Sequence, residues 1–146
     1  MTTVNASRTS DRDEICDLHA RYNHYMDSYE RDAFVDLFTA DGSWELVGLA
    51  KHEGRSALAA FIDGLREAAG QRRHHHCVFN EAIDVDGDRA TARSYVVDWL
   101  FPPGEPPRLT AVGRYCDELR REDGRWRFVR RRLDCDWLER RDAPTS

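Results

Sequence analysis

The chain has 146 residues, enough for one domain with a real hydrophobic core, and its 40% hydrophobic and 34% charged content is that of an ordinary globular protein. A formal net charge of −5 gives no electrostatic reason to expect nucleic acid, and no apolar stretch approaches the roughly 18 residues of a membrane span. The first residues, Met1-Thr2-Thr3-Val4-Asn5, lack a charged and then apolar signal pattern, so a cytoplasmic location is expected. Cys16, Cys77, Cys116 and Cys135 form no CxxC pair and match no zinc module, which predicts reduced, mostly buried thiols. Arg120-Arg121 and Arg130-Arg131-Arg132 stand beside Asp and Glu in strand-like segments and read as a charge-paired, solvated face.

In chain order, residues 1–10 are expected to be a tail, 11–138 the domain, and 139–146 a second, frayed tail. Residues 11–29 predict a helix. Ser10 is its cap with Asp13 at the capping-box position, and Ile15, Leu18, Tyr22, Tyr25, Met26 and Tyr29 form one stripe. Residues 32–39 predict a short second helix, and residues 43–47, after the Asp41-Gly42 turn, a first strand. Ser56 is the expected cap of a third helix of about 12 residues, with Leu58, Phe61, Ile62 and Leu65 on one side. Everything after Gly70 reads as sheet. Asp86-Gly87 joins His75–Val85 to Ala90–Phe101, Pro102 to Pro107 must be a loop, and Asp123-Gly124 joins Leu109–Leu119 to Arg125–Leu138. Helices first and a long antiparallel sheet last predict an α+β fold, a curved sheet over a helical layer with a pocket beside the first helix.

Two features carry chemistry. Asp27 lies near the end of the first helix, and His74-His75-His76 opens a later strand. Brought together by a fold, they make an acid/base device; kept apart, they are an ordinary helix-end carboxylate and structural histidines. Strand alternation puts His74 and His76 on one face and His75 on the other, so the triplet is a poor zinc site, and no carboxylate has ligand spacing. Asp84, Asp86 and Asp88 lack the spacing and terminal Glu of a calcium loop. No cofactor is expected.

The run Asp13-Glu14-Ile15-x-Asp17-Leu18-x-x-Arg21-Tyr22, then Asp27, then Leu37-Phe38-x-x-Asp41-Gly42-x-Trp44 resembles the SnoaL-like branch of the NTF2-like superfamily. Later segments agree: His76-x-x-x-Asn80, Val85-Asp86-Gly87-Asp88-x-Ala90, Gly113-x-Tyr115-x-Asp117 and Asp123-Gly124-x-Trp126. The resemblance runs from about residue 11 to about residue 138 and implies a cone-shaped, mainly antiparallel α+β barrel with an internal pocket. Members include bile-acid 7α-dehydratase, scytalone dehydratase, hexachlorocyclohexane dehydrochlorinase, epoxide hydrolases, polyketide cyclases and proteins without known activity. The fold therefore does not settle the function.

By that resemblance Asp27 and His76 match the Asp–His pair of the elimination enzymes, and Tyr22 matches a polar pocket residue. Arg131 resembles an oxygen-binding arginine, and Asp98 lies near the position of a second acid. Alternation makes His74 the neighbour of His76 in the pocket, and a bulge would turn His75 inward instead; Trp44 and Trp99 are aromatic candidates for the lining. Among Trp44, Phe61, Met26, Tyr95, Phe101, Trp99 and Trp137, spacing does not separate core from lining. No histidine follows His76 and no Asp-Arg-Asp constellation is evident, which argues against scytalone dehydratase and limonene epoxide hydrolase activity. His19, His24 and His52 belong to no constellation and are expected to be exposed, and Arg93 and Arg114 to lie on the surface.

The implied activity is a cofactor-independent, dehydratase-type β-elimination on a small cyclic, largely apolar molecule such as a steroid or polyketide. A neutral imidazole suits proton abstraction near neutral pH, and a carboxylate on one ring nitrogen sets its tautomer and stabilises the imidazolium. The same pair serves an isomerase or a polyketide cyclase. The reading from another class is a non-catalytic small-molecule binding module. Assembly into a dimer or trimer through the outer sheet face is expected from the resemblance.

Overall fold

The computed structural model describes residues 10–139, so the expected tail at residues 1–9 and the stretch 140–146 lie outside the described residues. Its elements are α1 (Asp11–Asp27), α2 (Arg31–Asp36), β1 (Phe38–Leu46), β2 (Ala50–Glu53), α3 (Arg55–Ala69), β3 (Arg73–Asp86), β4 (Arg89–Phe101), β5 (Arg108–Glu122) and β6 (Arg125–Leu138). The strands form a six-stranded sheet in the order β2-β1-β6-β5-β4-β3. Neighbours are antiparallel except β1 and β6, which run parallel, so the sheet is mixed. Register shifts occur in the β3–β4, β4–β5, β5–β6 and β1–β6 pairings, and bulges of this kind add local twist to a sheet. The fold class is the α+β architecture that the order of elements predicts.

Helix α1 starts with the expected capping box: Ser10 Oγ accepts from the Asp13 backbone N–H at 3.2 Å, and the Asp13 carboxylate accepts from the Ser10 N–H at 3.3 Å. It stops two residues earlier than the stripe suggests. Tyr29 adopts φ 55 and the Glu30 N–H turns back onto the Tyr25 carbonyl at 2.9 Å, which leaves Asp27 as the last helical residue. The inner side of the helix, with Ile15, Leu18, Tyr22 and Met26, packs on Phe34, Phe38 and Phe128. Each such side chain contributes about 1.5–3 kcal/mol on burial.

Three boundaries differ from expectation. Helix α2 ends at Asp36 because β6 captures the next carbonyl: the Phe128 N–H donates to Leu37 O at 2.9 Å, and Phe38 pairs with Phe128 as strand. Gly42 makes this possible. A Cβ there would lie 2.9 Å from Phe38 Cβ and 3.0 Å from Phe128 O, at the register shift between Phe38 and Ser43. Strand β2, for which the sequence gives no expectation, pairs with β1 through Ala50–Glu53; its mostly exposed residues carry no alternation to signal a strand. Helix α3 is capped by Gly54 at φ 83, with Leu58 N–H on the Gly54 carbonyl, and not by Ser56. The thiols are also less buried than expected, since Cys77 and Cys116 are exposed. Among the described residues no helix is long and apolar enough to cross a membrane.

Candidate active site

Asp27 sits at the negative end of the α1 dipole, a place that disfavours a carboxylate by about 0.3–1 kcal/mol. Strand β3 answers that charge. Asp27 Oδ1 is 2.6 Å from His76 Nδ1, and Asp27 Oδ2 accepts the His76 backbone N–H at 3.1 Å, so the two oxygens hold both ring and backbone of one residue. An ionised carboxylate only accepts, so Nδ1 carries the proton and Nε2 is left as the basic nitrogen. Nε2 is 3.8 Å from Asp98 Oδ1, across the β3–β4 pairing in which His76 faces Asp98.

Asp98 joins a second pair. Its Oδ2 lies 2.9 Å from His74 Nδ1 and accepts from Thr110 Oγ1 at 2.7 Å. His74 and His76 stack with ring centroids 6.2 Å apart on the inner face, while His75 lies outside against Phe101. The bulge in β3, where Asn80 takes φ 55, falls after Phe79 and leaves this alternation intact.

Between helices and sheet lies a cavity of about 610 Å³, large enough for a fused-ring molecule. Met26, Trp44, Phe61, Leu65, Val96 and Leu133 give it an apolar wall, and His74, His76, Asp98 and Tyr115 are its convergent polar groups. Asp27 stands behind His76, on a narrower cleft of about 230 Å³ that it shares with His19 and Glu81. Among the described residues no cluster of three His, Cys, Asp or Glu has the geometry to hold a metal ion.

Three expected pocket residues take other positions. Trp99 alternates with Asp98 onto the outer face, where it is exposed, and this corrects its place as a lining residue. Tyr22 is fully buried behind the wall, its hydroxyl accepting from Trp44 Nε1 at 2.7 Å. Arg131 is neither solvated nor on the cavity wall: it is 0% exposed, its guanidinium stacked over Tyr115, Tyr22 and Phe128 at 3.6, 4.1 and 4.7 Å from the ring centroids. Its charge partner is Asp117, with Nε 3.5 Å from Oδ1. Tyr95 and Trp137 also lie on the outer face, exposed.

Sequence reading missed His19, Glu81, Asp117 and Tyr115. His19, expected exposed, is 1% exposed; its Nε2 is 3.2 Å from Asp117 Oδ2, its Nδ1 contacts Glu81, and its ring stacks on Phe128. A signal existed. His19 falls on the apolar stripe of α1, four residues after Ile15 and three before Tyr22, and Tyr115 and Asp117 share the inward phase of β5 with Leu119.

Burial lowers the His76 pKa, but the Asp27 hydrogen bond and the charges of Asp98 and Asp27 outweigh it, and the net shift is upward from 6.5. For Asp98 burial raises the pKa, and His74, His76 and Thr110 outweigh it, for a net shift downward from 3.8. The raised His76 value stabilises the folded state fully below about 6.5, and that contribution fades as pH rises through the raised value. The lowered Asp98 value stabilises above about 3.8 and is lost as pH falls through the lowered value. In urea unfolding, the stability gap between wild type and His76→Gln is therefore expected to be wider at pH 6 than at pH 9. A gap that widens towards pH 9 removes this account of His76.

A SnoaL-like domain model matches residues 7–132. The chain belongs to the SnoaL-like family. Solved NTF2-like structures surround this SnoaL-like protein. A Novosphingobium aromaticivorans NTF2-like protein with a cystatin-like fold is 35% identical, with a TM-score of 0.77 over 86% of this chain and 82% of that one. A Mycobacterium tuberculosis protein of unknown function, solved as an aspartate-to-asparagine variant, is 33% identical, with a TM-score of 0.78 over 86% of this chain and 71% of that one. A candidate scytalone dehydratase from N. aromaticivorans is 23% identical, with a TM-score of 0.76 over 93% of this chain and 91% of that one, a likeness of fold. Among curated proteins none matches the sequence.

Proposed function

We propose that this SnoaL-like protein is a cofactor-independent lyase that removes water from a small cyclic, largely apolar molecule of steroid or polyketide type. The reading rests on one observation: the 2.6 Å contact of Asp27 and His76 at the edge of a 610 Å³ apolar cavity. His76 Nε2 takes a proton from a carbon beside a carbonyl, and the C–H electron pair moves into an enolate. The enolate re-forms the carbonyl and expels the β-hydroxyl, which leaves as water with the proton returned from His76. Asp27 holds the imidazole in its Nδ1–H tautomer and stabilises the imidazolium between the two steps. Asp98 and His74 contact substrate oxygen, Trp44 packs on its rings, and Tyr22 and Arg131 act from behind the wall.

The His74–Asp98 pair favours a second reading. A second imidazole 6.2 Å from the first can return the proton to a different carbon, an isomerisation, or give it to the alkoxide formed when the enolate carbon attacks a second carbonyl of the same molecule, an aldol-type cyclisation. The deciding experiment is a turnover screen over hydroxylated steroids, polyketides and halogenated rings, read by absorbance of the conjugated product and by mass. Loss of 18 mass units marks dehydration; product of unchanged mass marks the second reading, and binding without turnover of any class marks a binding module. Exposed Phe79, Tyr95, Trp99 and Trp137 give the outer sheet face an apolar area suited to a homo-oligomer, dimer or trimer. Tyr95→Glu together with Trp137→Glu is expected to shift sedimentation to the monomer, and unchanged sedimentation rules that face out.

A further inference from the structure

Strand β3 is an edge of the sheet, with β4 as its one neighbour, and α1 packs against it. Side chains of α1 hold this strand at two residues. Asp27 takes the ring and backbone of His76, while Arg12 Nη2 donates to Glu81 O at 3.1 Å and His19 Nδ1 meets the Glu81 carboxylate. Glu81 faces α1 because of the bulge in β3. Before the bulge the half-buried positions are His74, His76 and Val78; after it they are Glu81 and Ile83. The register shift between Phe79 and Ala82, where Asn80 takes φ 55, moves the inward phase by one residue. Without that shift Glu81 would share the outer face with His75, Cys77 and Phe79. The other end of the contact is fixed in the core. His19 is 1% exposed, its ring stacks on Phe128 with planes 7° apart, and its Nε2 is 3.2 Å from Asp117 Oδ2. One imidazole of α1 thus touches β3, β5 and β6.

We propose that His19 and Glu81 are positioning residues for the Asp27–His76 pair: they clamp α1 to β3 ahead of Asp27, so that its carboxylate meets both donors of His76. Neither residue lines the cavity, so they act only through the placement of helix and strand. His19 lies about two helical turns, roughly 12 Å, before Asp27. Asp27 is the last residue of α1, and no further turn of helix fixes its direction. A sideways shift of the helix end by about 1 Å would take the 2.6 Å contact with Nδ1 beyond hydrogen-bond range. The His19 hydrogen bond outweighs burial and holds the Glu81 carboxyl below its usual 4.5, so the clamp has its ionised acceptor near neutral pH. The bulge that delivers Glu81 is thereby part of the site, five residues along the strand from His76. The proposal rests on Asp27 and His76 as the working pair, and not on which reaction they perform.

The test is NMR on the ¹⁵N-labelled full chain without ligand, with two readings: the titration of the His76 ring nitrogens and the hydrogen exchange of the His76 backbone N–H. In the wild type the ring is expected to titrate above 6.5. Glu81→Ala is expected to return that titration towards 6.5 and to speed the backbone exchange on the order of tenfold, the scale of one buried hydrogen bond. His19→Phe keeps a ring on Phe128 and removes no negative charge, and it is expected to do the same. Glu81→Gln removes the charge but keeps an oxygen for His19, and both readings are expected to stay near those of the wild type. An equal fall in Glu81→Gln and Glu81→Ala reduces the effect to charge and overturns the clamp, as do unmoved readings in Glu81→Ala or His19→Phe. Glu81→Asp, one methylene shorter, takes the place of a variant that does not fold. Asp27→Asn separates the two levels. If it leaves the His76 titration unmoved, the pair is removed and the clamp with it; if it lowers the titration while Glu81→Ala does not, the clamp alone falls.

Discussion

His76→Ala is expected to lower kcat/KM by about 10²–10⁴-fold on whichever substrate the screen identifies, the usual worth of one general base. Asp27→Asn is expected to fall in the same range although the side chain keeps its size. Asp27 offers oxygen to two donors of His76, the backbone N–H and Nδ1–H. Asparagine has one oxygen and one NH₂, so one donor meets a donor. Either the strand loses its anchor or the imidazole turns to the tautomer whose Nε2 is protonated and no longer basic. The negative charge that favours the imidazolium is lost in both cases. Because the two residues act as one unit, the double variant is expected to be little worse than His76→Ala alone. In the wild type the rising limb of kcat/KM against pH is expected above 6.5, since the His76 pKa is raised, and it should vanish in His76→Ala. Turnover that survives both single changes removes the dyad.

Asp117→Ala is expected to cost about 3–5 kcal/mol of stability, the price of leaving a buried charge without its partner. Asp117 and Arg131 side chains are both 0% exposed, and the Arg131 guanidinium faces aromatic rings without a hydrogen-bond acceptor. Stacking on three rings offsets part of the desolvation, but the neutralising charge is Asp117. His19 loses its contact with that carboxylate at the same time. For a chain of this size the change corresponds to a fall in Tm on the order of 10 °C. Asp117→Leu combined with Arg131→Met removes both charges and is expected to be more stable than Asp117→Ala alone, as measured by urea unfolding. An Asp117→Ala midpoint equal to that of wild type shows that Arg131 finds its compensation elsewhere.

Much of the fold was legible because its signals are local. Ser10 and Asp13 mark a helix start within one turn, and Asp86-Gly87 and Asp123-Gly124 mark hairpins from two residues each. Where reading failed, a distant group had intervened. The end of α2 depends on the Phe128 N–H, far along the chain, and β2 is strand only because β1 lies beside it. The site divides the same way. Alternation alone separates His74 and His76 from His75, and sends Trp99 away from Asp98. Alternation does not reveal depth, so Arg131, in a run of arginines that reads as solvated, is the largest fully buried side chain of the fold.

By itself the sequence determined the order and type of most elements, the two hairpins, the family, and which residue types were available for proton transfer, because capping, turn chemistry and periodicity act over a few residues. Only the tertiary structure decided that Asp27 meets His76 across 49 positions, that His19 and Arg131 lie within the core, and that Tyr115 reaches the cavity. Those outcomes depend on how a bent sheet closes over α1, and the energy that selects among them is shared by side chains that are neighbours in space and distant along the chain.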